Sequence, residues 1–195
     1  MCSSIDIRND KSEFSILDNC TVIEGSLEIV LIRSNIDFTT LSFPFLREIT
    51  DYLLLYHVKG LKSLGQLFPN LSVIRGQTLL SNYALVVYEV EDLEDVGLHS
   101  LTHILRGAVR IEKNSNLCYL KSINWEMIMK DFKVSNNIII DNKDDEECFD
   151  VCPADGIACP VRDVVSEDGF QSKKLLCWNT KHCQLKHSSM TGKQV

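Results

Sequence analysis

The apolar pattern of "DYLLLYHV", residues 51–58, is unusual for a β-strand. Successive side chains of a strand point to opposite faces, so a half-buried strand alternates apolar and polar residues. Here Leu53 and Leu55 fill one face, while Leu54 and Tyr56 fill the other. The pattern therefore predicts a strand that is covered on both faces, or a strand whose outer face is an exposed apolar surface.

Similar segments recur along the chain with a period of about 25 residues. The segments IEGSLEI, ITDYLLL and LRGAVRI align without a gap from Ile23, Ile49 and Leu105. A fourth copy begins at Ile74 if residues 77–82 loop out. Periods of this length are typical of solenoids, in which each turn adds one strand to a parallel sheet. The repeats therefore predict an α/β fold of the solenoid type, a parallel β-helix of four turns.

The alignment also assigns each strand residue to a face of the sheet. Two aliphatic columns are predicted to point inward: Leu27, Ile29, Leu53, Leu55, Leu85, Val87, Val109 and Ile111. The outward columns are apolar in the middle and charged at both ends: Glu28, Leu54, Val86 and Arg110, then Val30, Tyr56, Tyr88 and Glu112.

The connection at residues 57–73 indicates what covers this outer face. It contains Gly60, Gly65 and Pro69 instead of the long amphipathic helix that would shield a buried parallel sheet. We therefore interpret the outer face as an exposed apolar patch, the kind of surface that marks interaction sites. A loop or another domain of the parent protein covering the patch is the alternative.

One helix is predicted beyond the fourth turn. In "NWEMIMKDF", Trp125, Ile128 and Phe132 recur at helical spacing, which predicts a helix that caps the end of the solenoid.

Composition and charge exclude some classes of protein. The 195 residues are 45% hydrophobic, which is enough for a buried core, and the net charge of −7 argues against a nucleic-acid partner. We expect no membrane span, because no apolar run approaches about 18 residues. The first residues do not resemble a signal peptide, so a secreted form is expected to have lost its leader already.

Cysteine is distributed unevenly. Five of the eight cysteines lie within residues 148–183, whereas residues 21–117 contain none. This distribution favours a disulfide framework in an oxidising compartment, with a first region held by burial and a second held by cross-links. We place the domain boundary near Phe149, which gives domains at 1–149 and 150–195.

Catalysis and metal binding are less favoured by the residues. Cys177, Cys183 and His187 could ligate zinc, but no second well-spaced pair accompanies them, so disulfides are preferred. No nucleophile–base pattern or phosphate-binding glycine motif stands out. We therefore expect no cofactor and no metal, and a disulfide-rich secreted enzyme is the least favoured class.

Several motifs carry a resemblance to a known family. The segments IDIRND, DNCTVIEG, FPFLREITDYLLLYHVKGLKSLGQLFPNLSVIRG, NYALVVYE, RGAVRIEKN and LCWNTKHCQ closely resemble the insulin and insulin-like growth factor receptors. They match the first receptor L domain, a leucine-rich-repeat-like solenoid, and the start of the furin-like cysteine-rich region, as far as about Gln184. The resemblance implies a right-handed β-helix, an extracellular location, secreted or at the cell surface, and an insulin-like peptide hormone as ligand.

The resemblance also implies a hormone-binding site on the outer sheet face, shared with a helical segment of the receptor α-chain. Carried over by motif, its residues are Asp6, Arg8, Asn9, Leu54, Tyr56, Tyr83, Val86, Tyr88, Arg110, Glu112 and Lys113. The chain departs from the family at Leu80 and Ser81, where aromatic residues are usual, and at Glu28 and Arg33, where less charged residues are usual.

The family pattern further implies disulfides and a role. Mapped in order, the pairs are Cys2–Cys20, Cys118–Cys148, Cys152–Cys177 and Cys159–Cys183.

Acceptor triplets predict glycosylation at Asn70 and, less favourably, at Asn19. Family members carry a tyrosine kinase that this chain lacks, so we expect a hormone-binding receptor fragment, or a decoy that sequesters hormone or pairs with the full receptor.

Overall fold

Strands dominate the computed structural model of this chain, which describes residues 1–9, 11–33, 36–131, 136–153, 159–166 and 168–185. Within those residues nine parallel strands form one sheet, and two antiparallel strands form a separate hairpin. The large sheet contains β1 (Cys2–Arg8), β2 (Val22–Ile32), β3 (Glu48–Ile49), β4 (Leu53–Val58), β5 (Val73–Ile74), β6 (Tyr83–Tyr88), β7 (His103–Ile104), β8 (Ala108–Glu112) and β9 (Ile138–Ile140). The hairpin contains β10 (Val161–Val165) and β11 (Gln171–Leu175).

Helices in the described part of the chain are short. The α-helix spans Leu64–Leu67. The 3-10 helices span Lys11–Leu17, Phe38–Thr40, Leu120–Ser122, Trp125–Met127 and Asp145–Glu147. The fold is therefore mostly β, and short turns and 3-10 segments connect its strands.

Strand β2 is long enough to pair with two walls of the solenoid. We call them the narrow wall, formed with β3, β5 and β7, and the broad wall, formed with β1, β4, β6, β8 and β9. Its first residues pair with β3, which continues the narrow wall through β5 and β7, while Leu27 onward pairs with β4, which continues the broad wall through β6 and β8. The chain bends between the two at Gly25, whose φ is +125°. A Cβ at Gly25 would lie 1.9 Å from Ser4 Oγ, so the bend requires glycine.

The predicted facing of the broad wall is confirmed. Leu27, Leu53 and Leu85 pair in register, and the eight residues assigned to the inward columns have no exposed surface. These columns form the centre of a continuous hydrophobic core. Burial of so many aliphatic side chains is the main stabilising contribution to the solenoid.

One position of the repeat alignment was wrong. The column that begins with Ile23 continues through Ile74 to Ile104, not to Leu105. The fourth turn holds one more residue than the gap-free alignment allowed, because Val109 lies five positions after Ile104 whereas Leu27 lies four positions after Ile23. A separate register shift between β6 and β8 leaves Ala84 of β6 without a partner on β8. Ile104 is therefore buried, while Leu105 is only partly so.

The predicted capping helix was also wrong. Asn124 caps the 3-10 helix that follows it by accepting a hydrogen bond from the backbone N–H of Glu126. The chain then leaves helical geometry, because Met129 forms a parallel bridge with Ile104 and extends the narrow wall. Tertiary pairing thus overrides the helical pattern, and Phe132 lies outside the described residues. Instead, β9 pairs with β8 and adds a strand that the repeats did not predict.

A column of left-handed residues turns the chain at the end of each broad-wall strand. Their φ values lie between 51° and 64°, and the column consists of Asn9, Leu31, His57, Glu89, Lys113 and Asp141. Directly after one of these corners, the buried Asn114 donates to the carbonyl of Val87 and accepts from the N–H of Val90. Side-chain amides thus satisfy backbone groups where the sheet hydrogen bonding ends.

Four disulfides lie in the described region, in the pairing that the family pattern implies: Cys2–Cys20, Cys118–Cys148, Cys152–Cys177 and Cys159–Cys183. The cysteine-rich segment that follows Phe149 packs against the solenoid, because Trp178 is completely buried in the solenoid core. Its ring meets that of Trp125 edge to face, with centroids 6.0 Å apart. The cysteine-rich segment is therefore anchored to the solenoid by burial as well as by cross-links.

Candidate hormone-binding face

The outward columns of β4, β6 and β8 bring together a set of residues that we call the aromatic face: Leu54, Tyr56, Tyr83, Val86, Tyr88 and Arg110. Strand pairing places Leu54 beside Val86 and Tyr56 beside Tyr88. With Leu80 and Ser81, these side chains line an open depression of about 420 Å³. No described segment of the chain covers this depression.

Two tyrosines lie at the centre of the aromatic face. The Tyr56 and Tyr88 rings are 5.6 Å apart and tilted by 30°. Tyr56 remains 38% exposed although it lies in the middle of the sheet, whereas its strand neighbour Leu55 has no exposed surface. Below the rings, Val86 and Val30 are almost fully buried and form an apolar floor. The face thus offers aromatic surface over a rigid base.

Arg110 lies over both aromatic neighbours on its side of the face. Its guanidinium carbon is 5.9 Å from the Tyr83 ring centroid and 5.5 Å from that of Tyr88. Two of its nitrogens donate to the same carboxylate oxygen of Glu112, at 2.9 and 2.6 Å. This hydrogen bonding raises the pKa of Arg110, which stays charged. The side chain is therefore held flat against the rings by cation–π contact and by Glu112.

Lys113 occupies the left-handed corner beside this face and fixes the outer end of Tyr88. Its ammonium donates to Tyr88 Oη at 2.6 Å and lies 5.1 Å from the ring centroid. The hydrogen bond to Tyr88 raises the pKa of Lys113. Glu89 lies 3.9 Å from the same ammonium and 2.8 Å from His57 Nδ1. The corner column therefore forms a rim of alternating charge along one edge of the aromatic face.

Strand β1 and the corner after it carry Asp6, Arg8 and Asn9, which strands β2, β4 and β6 separate from Arg110. The Arg8 Nε donates to both Asp6 carboxylate oxygens, at 2.8 and 2.9 Å, and this interaction raises the pKa of Arg8. Strand pairing sets Asp6 beside Glu28 and Arg8 beside Val30, so both belong to the outward columns. Strand β2 separates them from β4, so this cluster borders the aromatic face without contacting its tyrosines.

A tight turn forms the wall of the depression. Leu80 and Tyr83 exchange backbone hydrogen bonds of 3.0 and 2.9 Å, while Ser81 and Asn82 both have left-handed backbone. Two consecutive left-handed residues inside such a pair define a type I′ turn. Residues 77–82 leave the solenoid here, at the place that the repeat pattern indicated.

Several residues of this region were not predicted as part of the site. His57 and Glu89 form the charged rim, and the His57 ring meets Tyr56 edge to face at 4.1 Å. Tyr52 donates to the Glu28 carboxylate at 2.5 Å. Burial is the larger cause that raises the pKa of Tyr52, and this hydrogen bond is the second. The available signal was positional, because His57 and Glu89 follow the outward tyrosines directly in two successive repeats.

The described cysteines are unsuited to metal binding or nucleophilic chemistry. Cys177 and Cys183 are both in disulfides, so the zinc alternative lacks thiolates, and His187 lies outside the described residues. Among the residues that the structure describes, Cys118, Cys148 and Asp150 come close enough to share a metal ion. However, those two sulfurs are bonded to each other.

The two predicted glycan acceptors lie away from the aromatic face. Asn19 is exposed, whereas Asn70 is half-buried and its side-chain nitrogen donates to the carbonyl of Pro44 at 2.8 Å. Modification at either site remains a prediction.

The parallel sheet of nine strands and the four disulfides agree with the solenoid of a receptor L domain. Residues 19–129 match the Receptor L domain family, and the chain belongs to that family, in its insulin-receptor branch. It is 51% identical to the insulin-like peptide receptor of Branchiostoma lanceolatum over 186 residues, 94% of this chain. It is 48% identical to the insulin-like growth factor 1 receptor of Xenopus laevis over 194 residues, 98% of this chain.

A third relative, the insulin receptor-related protein of Mus musculus, is 46% identical over 187 residues, again 94% of this chain. The chain spans only 13% to 14% of the length of these three relatives. In the described part of the chain, no helix has both the length and the apolar character needed to cross a membrane.

Proposed function

We propose that this chain binds an insulin-like peptide hormone on its aromatic face, outside the cell, together with a helical segment of the receptor α-chain. Two similar proteins are called insulin-like peptide receptor and insulin receptor, which supports this class of ligand. The site residues assigned by motif all lie on or beside one sheet face. The proposed role is binding, with no chemical step.

The exposure of Tyr56 is the observation that carries the proposal. Tyr56 is 38% exposed in the middle of a sheet, while Leu55 on the opposite face is fully buried. Aromatic and arginine side chains that converge on one depression are typical anchors of protein interfaces. Tyr56, Tyr88 and Arg110 form such a group.

The charges around the face define how a ligand would dock. Arg110 is neutralised by Glu112, and Lys113 lies near Glu89, so the rim has no large excess of positive charge. Recognition is therefore expected to rely on apolar contact with the tyrosines, with hydrogen bonds at the rim setting orientation. A helix with an apolar stripe is the partner that fits such a groove.

The chain by itself contributes only part of the proposed site. We expect a Kd in the micromolar range or weaker for the hormone alone, corresponding to about −8 kcal/mol or less favourable. A decoy role would require tighter binding in the absence of the helical segment.

Calorimetric titration of insulin and insulin-like growth factors tests the proposal, with and without a synthetic peptide of the α-chain helical segment. Tyr56→Ala and Tyr88→Ala are each expected to weaken binding at least tenfold, because central aromatic anchors contribute about 2 kcal/mol or more. Phe45→Ala is the matched control, since Phe45 is an exposed aromatic residue outside the face. Equal losses in all three variants, or none in the tyrosine variants, would contradict the proposal.

A further inference from the structure

Two histidines from distant parts of the chain stack where the last disulfide loop meets the solenoid. The rings of His99 and His182 are 3.9 Å apart and almost parallel, with an interplanar angle of 9°. His99 belongs to the connection between β6 and β7, and His182 lies in the loop at residues 177–184. The pair is therefore part of the contact between solenoid and cysteine-rich segment.

Hydrogen bonds fix the position of both rings. His99 Nδ1 lies 3.2 Å from the carbonyl oxygen of Gly97, and His182 Nδ1 lies 3.1 Å from Asn179 Oδ1. Both partners are acceptors, so each neutral ring carries its hydrogen on Nδ1 and takes up a second proton on Nε2. The Asn179 amide nitrogen donates to Asp95 at 3.3 Å, which links the loop to the solenoid.

We propose that the stacked pair is an acid-sensitive clamp, which holds the 177–184 loop on the solenoid when both rings are neutral and loosens it in mild acid. Separated histidines each gain a proton near pH 6.5. In the stack, a second proton would place two positive charges about 4 Å apart, where repulsion is strong. The opened loop can therefore bind more protons than the closed one.

The direction of the pH dependence follows from this difference in proton binding. Burial, then the charge of His99, then that of Lys181, lower the pKa of His182. A histidine with a lower pKa in the closed state favours closure above its ordinary pKa, and that contribution is lost as the pH falls. The clamp is therefore closed at pH 7.5 and weakened at pH 5.5.

Among the residues that the structure describes, the other charged groups facing the pair are Asp95, Glu94 and Lys181. Burial raises the pKa of Asp95, and the Asn179 amide already donates to its carboxylate. Glu94 is paired with Lys62 at 2.8 Å. One proton on the pair is thus partly compensated by Asp95, whereas the second proton is opposed by the first and by Lys181.

The covalent structure limits what acid can release. Cys177 and Cys183 are tied to Cys152 and Cys159, so the loop stays attached to its own segment when the stack opens. The amide of Cys177 reports on opening, because it donates across the contact to the carbonyl of Ser122 in the solenoid at 3.1 Å.

Amide hydrogen exchange of the whole chain, measured by NMR at pH 7.5 and 5.5 and corrected for intrinsic exchange rates, tests the clamp. The protection of the Cys177 amide is expected to fall severalfold at pH 5.5 relative to amides of β6, because the opened loop binds more protons than the closed one. The double variant His99→Phe/His182→Phe keeps two stacked rings that cannot be protonated, and it should lose this fall. His103→Gln, a change at a histidine outside the stack, should retain it.

An equal fall in the double variant, or no fall in the unmodified chain, would overturn the proposal. If the double variant does not fold, histidine ring titration of the unmodified chain decides the matter. A His182 ring that titrates below the ordinary histidine pKa supports the clamp, while titration at the ordinary value refutes it.

Discussion

The two ends of the chain are stabilised in different ways. Residues 21–117 contain no cysteine and supply most of the hydrophobic core, whereas residues 148–185 contain five cysteines and few buried side chains. Trp178 is the large exception, since it inserts completely into the core of the solenoid. The difference shows that cross-links hold the shape of the second region, while Trp178 is the large side chain that it buries in the first.

The largest effect on stability is expected from Trp178→Ala, which removes the side chain that the second region buries in the core of the first. Removing a completely buried tryptophan leaves a cavity beside Trp125, and we expect a loss of about 3–5 kcal/mol in the free energy of unfolding. Chemical denaturation measures this loss. If cross-links alone held the second region, the transition midpoint would not change, so an unaltered midpoint would show that the buried tryptophan is dispensable.

Leu55→Ala is expected to cost about 2–5 kcal/mol, because Leu55 lies in an inward column with no exposed surface. The same denaturation experiment measures it, with Ile16→Ala as a control at a 59% exposed aliphatic residue. A control variant as unstable as Leu55→Ala would mean that the core of the solenoid does not dominate its stability.

Removal of the Cys152–Cys177 bridge by a double alanine substitution should act locally. The bridge closes a loop with a sequence separation of 25, and its loss is expected to cost about 3 kcal/mol of local stability. Limited proteolysis should then cut residues 159–185 while the solenoid stays intact. Simultaneous loss of both regions would show that the solenoid depends on the cross-link.

Tyr56→Ala is expected to have the smallest effect on the free energy of unfolding, because Tyr56 lies on the outer face of the sheet. The ring contacts Tyr88 and His57 but fills no space in the core, so the cost is expected to be below about 1 kcal/mol. Thermal unfolding of this variant beside Leu55→Ala provides the measurement. Equal destabilisation of the two variants would mean that the outer face is itself part of the core.

The broad wall could be predicted from sequence because two rules act together there. Each turn repeats the same spacing, and inward positions tolerate only aliphatic residues, so the register of Leu27, Leu53 and Leu85 follows from pattern alone. The central residues of the aromatic face follow from the same register. The two-residue strands β3, β5 and β7 were not predicted as strands, since a pair of residues has no periodicity.

Other features depend on energies that a residue pattern does not reveal. Left-handed backbone is expected at Asn9 but not at Leu31 or Glu89, where the stacked corners impose it. The pairing of Met129 with Ile104 could not be inferred from a helical spacing of apolar residues. Contacts between the corner column and the tyrosines likewise appear only once the turns are stacked.

The type I′ turn beside the aromatic face has a consequence for engineering. Because the turn closes its own hydrogen bonds, and the side chains of Gln77, Thr78, Ser81 and Asn82 are exposed, these side chains can change while the columns of the solenoid stay in place. These four positions are thus a natural site for randomised libraries in a display format. Selection on such a library would retarget the depression as antibody loops are retargeted on their framework.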